Sequence, residues 1–254
     1  MVRRFRSYFG RRQQMHAVRH HEEPHHRKRR LSVPERIGAT GLFQKAIMQS
    51  GCAFNIWALN ENHRIVAFKL ANNLGCLSND PEEIVKYLKN VPAIDLVKGT
   101  KFKNGTDYLD YKFVPSIESA TVSYPFLPAH PEQLVNDRSP IPVIIGVNNM
   151  EGMVALSSAS HADEINYLFH SKLSGVIPKP NSPELEMCKM MGKMWSNFAK
   201  SGDPNSSDLS FKWVNASASD PKYLSIDGDR TCMADGMINS NRLRLWQEIS
   251  ESVV

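Results

Sequence analysis

Ile141-Pro-Val-Ile-Ile-Gly-Val-Asn-Asn-Met-Glu-Gly152 is the stretch from which the rest of the chain can be read. From Pro142 to Val147 it is a continuous, largely β-branched apolar run, closed by Asn148 and Asn149. That pattern suits a strand covered on both faces of a parallel sheet. It predicts a buried strand over Val143–Val147, beside a second strand at 44–50. Open α/β sheets place their sites beyond the carboxyl ends of strands. Glu151, which follows the run at once, would lie at such an end, and on this ground alone it reads as an ordinary turn residue.

Working outward, Gln44-Lys-Ala-Ile-Met-Gln-Ser50 is short, partly apolar and closed by Gly51, as a buried strand would be. Ala67, Leu70, Ala71 and Leu74 fall at helical spacing, with Gly75 as a stop. Asp80-Pro81-Glu82-Glu83 reads as a capped helix start, with Ile84, Val85, Leu88 and Val91 on the buried face. Residues 112–140 hold five prolines and no sustained period, which predicts loop with short extended pieces. Met187, Met190, Met191, Met194, Trp195 and Phe198 repeat as one face of an amphipathic helix that Gly202 and Pro204 end. The stripe is a core face rather than a cofactor site. A last helix over about 239–250 turns Leu243, Trp246 and Ile249 inward. Strands interleaved with helices give an α/β class, although two clear sheet strands are few for 254 residues.

The net charge of +5 is unevenly spread. Residues 1–38 carry a net +8 and the remaining 216 a net −3, so the body is mildly acidic and one end is basic. Residues 1–30 contain no apolar core of a signal peptide. Arg27-Lys28-Arg29-Arg30 is a weak match to basic targeting or nucleic-acid signals. His16, His20, His21, His25 and His26 lack a completing Cys or carboxylate, and Pro24 interrupts any helix that would align them. Residues 1–38 are therefore expected to be a disordered, solvated tail, with 39–254 as one domain. No stretch reaches the ~20 apolar residues that span a membrane. Cys52, Cys76, Cys188 and Cys232 have no metal-ligand spacing, and are equally compatible with disulfides and with free thiols. Asn104, Asn205 and Asn215 begin glycosylation tripeptides.

Four stretches, in order, resemble the type-B carboxylesterases, the cholinesterase-like branch of the α/β-hydrolases, and in particular their insect esterase and juvenile-hormone-esterase group. They are Gly41-Leu-Phe-Gln-Lys-Ala-Ile-Met-Gln-Ser-Gly51 with Trp57 after it, the 141–152 stretch, Ser160-His-Ala-Asp-Glu-Ile-Asn-Tyr-Leu-Phe169, and Met194-Trp-Ser-Asn-Phe-Ala-Lys-Ser-Gly-Asp-Pro204. The similarity runs from about residue 39 to 250. It implies an α/β-hydrolase-like fold, ester hydrolysis through an acyl-serine intermediate, a small-molecule carboxylic ester as substrate, and no metal or organic cofactor. It assigns Glu151 as the acidic member of the triad and His161 as its base. Nucleic acid is not an expected partner, and the family suggests secretion.

The departures are equally specific. No G-x-S-x-G occurs in these residues, and no Gly-rich oxyanion loop. Ser50 matches a family serine that lies behind the catalytic centre and is not the nucleophile. Nine residues separate Glu151 from His161, where the family has a domain-scale segment. Cys76 matches half of a family disulfide, while Tyr87 stands at about its partner's place. The expectation is a truncated, internally deleted family member, its fold partial, its central sheet incomplete and its esterase activity absent. The alternatives are an aberrant fragmentary product and a non-catalytic interaction or adhesion protein.

Overall fold

The computed structural model describes residues 15–20, 42–55, 57–100, 113–123, 125–134, 141–151, 161–170 and 177–252. In chain order its elements are β1 (Met15–His20), β2 (Ala46–Gln49), α1 (His63–Asn73), α2 (Pro81–Lys89), α3 (Ala93–Gly99), α4 (Pro131–Leu134), β3 (Val143–Asn148), α5 (Ile165–Leu168), α6 (Pro183–Ser201), β4 (Lys222–Ile226), β5 (Cys232–Asp235) and α7 (Ser240–Ser252). They form two compact units. The first holds the sheet with α5, α6 and α7, and the second holds α1 to α4.

The sheet has five strands in the order β2-β3-β1-β4-β5. β2 runs parallel to β3, with Ala46 opposite Val143 and Gln49 opposite Gly146. The apolar run of 141–152 is thus a strand beside the 44–50 segment, with Glu151 three residues past its end. Two expectations change. The sheet is mixed, because β1 is antiparallel to both β3 and β4. β3 is also not covered on both faces: Ile144 is fully buried, while Ile145 on the opposite face is 41% exposed.

β1 itself corrects the picture of a tail, since Met15–His20 lies within residues 1–38 yet forms a strand inside the sheet. Of the five amino-terminal histidines, His16 and His20 are in that strand, and His21, His25 and His26 lie outside the described residues.

α6 supplies the core. Ser182 caps it by accepting from Leu185 N–H at 3.2 Å, and Pro183 occupies the first turn, where its missing N–H costs nothing. Met187, Met191, Met194, Trp195 and Phe198 are buried and pack with Ile144, Leu224, Ile226 and Trp213. Trp195 and Trp213 meet with ring centroids 6.0 Å apart. At the other end Gly202 is left-handed, with φ 81°, and its N–H closes on Phe198 O at 2.8 Å. A Cβ there would lie 3.4 Å from Pro142 Cγ. Gly202→Ala is expected to cost about 1–2 kcal/mol through the left-handed backbone, read as a lower urea midpoint with an unchanged slope.

In the second unit, Leu70 and Ala71 of α1 and Ile84 of α2 are buried. Asp80 accepts from Glu82 N–H at 3.1 Å, but the capping box is not reciprocal: Asp80 N–H and Glu83 are both served by the Ser78 hydroxyl. Val85 is 51% exposed, and in the first unit so is 44% of Leu243, so neither turns inward as expected. The side chains of Trp246 and Ile249 lie outside the described residues. The four cysteines are free thiols. The Tyr87 hydroxyl donates to Leu74 O at 2.6 Å. It ties α2 to the end of α1 without a covalent bond.

Candidate functional site

The site gathers at the carboxyl ends of β2 and β3. β2 ends at Gln49, and the next residue, Ser50, adopts a left-handed backbone with φ 55° while its N–H still reaches Gly146 O at 2.8 Å. β3 ends at Asn148, and the chain turns at 149–151 to bring Glu151 back over the strand. One Glu151 oxygen, Oε1, accepts from Asn148 N–H at 2.6 Å and from the Ser50 hydroxyl. The other, Oε2, faces His161 Nδ1 at 2.8 Å. Arg242 of α7 donates to Asn149 O and so holds the turn from outside.

The two residues assigned by spacing and resemblance are therefore in direct contact. An ionised carboxylate only accepts, so with Glu151 charged the hydrogen must sit on His161 Nδ1. That leaves a lone pair on Nε2, the arrangement a general base needs. More than half of the His161 side chain is exposed, against less than a third of Glu151. The following residue, Ala162, is also left-handed, with φ 70°. Left-handed non-glycine residues cost of order 1–3 kcal/mol and cluster at functional sites. Here Ser50 and Ala162 set the two flanks of the carboxylate.

A second carboxylate, not singled out from sequence, lies behind the first. Glu164 is 4% exposed and accepts from Gln49 Nε2 at 3.1 Å and from Asn148 Nδ2. Gln49 in turn accepts from Trp195 Nε1 at 2.9 Å. A chain of side-chain bonds thus joins α6, the ends of β2 and β3, and the turn carrying His161. Two polar residues closing apolar runs, Gln49 and Asn148, and an acid three places after His161, were the available signals. Glu164→Ala would take an acceptor from two amide donors, at an expected cost of about 1–3 kcal/mol. The check is a lowered melting temperature, with the change in Trp195 environment read by fluorescence.

Beside this turn, burial pushes the Tyr167 hydroxyl up to about 12, assisted by the negative charge of Glu184. The folded chain then keeps a proton that the unfolded chain loses near pH 10. Stability is expected to be intact below pH 10 and to fall as pH rises towards 12. Tyr167→Phe should flatten that alkaline loss in a pH series of urea melts.

Among the described residues no group of three His, Cys, Asp or Glu side chains could hold a metal ion. No described helix is long and apolar enough to cross a membrane. Ser157, Ser158, Ser160 and Asn104 lie outside the described residues. Asn215 is exposed, whereas the Asn205 amide is engaged: its Nδ2 donates to Trp213 O at 2.9 Å and its Oδ1 accepts from Trp213 N–H at 2.7 Å.

The model of the carboxylesterase family matches residues 35–159 and 155–246. Among curated proteins, the chain is 38% identical over 115 residues to Esterase FE4 of Myzus persicae. It is 32% identical over 115 residues to human Carboxylesterase 3, and 34% identical over 121 residues to human Bile salt-activated lipase. These matches cover 45%, 44% and 46% of this chain, but only 20%, 18% and 15% of the three relatives.

Proposed function

This chain belongs to the carboxylesterase family, whose model covers most of its length, and we propose that it carries the acid and base of an ester-hydrolysing site without the serine on which they act. Membership implies the α/β-hydrolase fold. The five strands are read as part of a larger sheet that is incomplete here. The observation that carries the functional reading is the 2.8 Å contact between His161 Nδ1 and Glu151 Oε2 at the end of β3.

In the proposed chemistry, Nε2 of His161 takes the proton from a serine hydroxyl as its oxygen attacks the carbonyl carbon of a carboxylic ester. The same proton then goes to the leaving alcohol, and water, deprotonated by His161, frees the acyl group. Glu151 keeps the imidazole in the required tautomer and balances the charge it gains. Ser50 does not supply the hydroxyl, because its hydrogen bond goes to Glu151 rather than to His161. The oriented imidazole also weighs against a purely adhesive role, which has no use for one.

The test joins this chain to the serine-bearing amino-terminal part of an esterase relative. The expected result is turnover of a chromogenic short-chain ester, with loss of about 10³-fold or more in His161→Ala. Turnover indifferent to His161→Ala and Glu151→Gln would overturn the assignment.

A further inference from the structure

We propose that β1 is an exchangeable strand, and that the slot between β3 and β4 accepts Met15–His20 from a second copy of this chain as well as from its own. β1 comes first in the chain yet sits in the middle of the sheet, and it is antiparallel to both neighbours. Its register with β3 covers six residues, from Met15 opposite Asn148 to His20 opposite Val143. Its register with β4 covers three, from Met15 opposite Ile226 to Ala17 opposite Leu224. No other strand pair depends on it: β2 stays on β3, and β5 stays on β4, if it leaves.

The slot fits one kind of occupant. Neighbouring strands lie about 4.8 Å apart, so two facing edges with one strand between them stand about 9.6 Å apart, which admits one extended backbone. Withdrawing β1 would expose unpaired N–H and C=O groups on both edges, and buried backbone groups left unpaired are costly. A second copy offers the same six residues in the same register, so exchange restores every pair that withdrawal breaks. The covalent link does not oppose it. Residues 21–45 separate β1 from β2, and such a length reaches roughly 80 Å when extended. Because the contacts are identical in either arrangement, chain concentration decides between them, as in strand- and domain-swapped dimers.

The experiment uses the full chain in two versions, Val18→Cys and Ile145→Cys, mixed and oxidised mildly. Val18 and Ile145 are register partners, and Ile145 is exposed enough for the oxidant. Antiparallel partners have Cα atoms about 4.5–5.5 Å apart, within the disulfide range. Peptide mapping separates an 18–145 link from links through the four native cysteines. A linked species of twice the chain mass, growing at least severalfold with a tenfold rise in concentration, is expected. Adding Ala17→Pro to the Val18→Cys chain should abolish it, because proline removes a ladder donor. A chain carrying both cysteines decides the negative case. If it links only within itself at every concentration, while the mixture never links, exchange is overturned. If it does not link at all, the placement of β1 in the slot is overturned as well.

Discussion

Offered a chromogenic short-chain ester, the chain by itself is expected to show no saturable turnover and no labelling by a fluorophosphonate. Glu151 and His161 are in contact, and in the proposed reading they serve as orienting acid and base. The expectation concerns the other parts such a pair needs, a serine hydroxyl and donors for the oxyanion. In serine hydrolases of this type those donors are the N–H after the nucleophile and another from an upstream loop, and neither motif occurs in these 254 residues. Removing the nucleophile from a serine hydrolase costs about 10⁶ in turnover, and the ~10³–10⁴ that survives comes from the oxyanion hole and binding. Rates at the level of free imidazole are therefore expected. One serine labelled stoichiometrically, with turnover lost in His161→Ala, would overturn this. Ser50, Ser157, Ser158 and Ser160 would then be replaced in turn.

The largest effect on stability is expected at Phe198. Its side chain is fully buried, on the face of α6 that packs against Ile144, Leu224 and Trp213. Phe198→Ala removes six ring carbons from that cluster, and buried Phe→Ala changes cost about 3–5 kcal/mol through lost burial and the cavity left behind. With native domains stable by about 5–15 kcal/mol in all, a change of this size leaves little margin. Urea unfolding read by tryptophan fluorescence gives the measurement, since Trp195 and Trp213 report from the same cluster. Val85→Ala, at a half-exposed position, should stay within about 0.5 kcal/mol. Equal effects at the two positions would mean that α6 is not the organising element.

What could be read from sequence was whatever has a strong local signature. The Met and aromatic stripe of α6, bracketed by Ser182-Pro183 and Gly202, carries its own periodicity, caps and burial. The run 142–148 carries a strand, and an acid directly after it is placed by backbone direction alone. His161 needed the ordered motifs, because nothing local marks it. Other elements lacked such signals. β4, Lys222-Tyr-Leu-Ser-Ile226, is short and half polar, and its apolar positions gain meaning only once α6 lies beneath them. β1 was hidden by its charge: Met15–His20 sits among arginines and histidines that argue for a solvated tail. Its place is fixed by backbone pairing to residues more than a hundred positions away. Glu164 looked like an ordinary surface acid, since burial of a carboxylate depends on donors that sequence does not align. Val85 and Leu243 failed in the opposite sense, as helical spacing tells which residues share a face but not whether a neighbour covers it.

The position of β1 also sets a timetable for synthesis. Met15–His20 is made about 200 residues before one of its partner strands, Lys222–Ile226. At about 5–20 residues per second, the segment waits roughly 10–40 s with no completed ladder to join. During that interval α1 and α2, whose contacts are local, can form ahead of it, whereas the middle of the sheet cannot close until β4 has been made. The nascent chain therefore carries an unsatisfied extended segment for as long as β4 is unmade. Chaperone occupancy on ribosome-bound intermediates should follow that segment, and should drop only after residue 226 has cleared the exit tunnel.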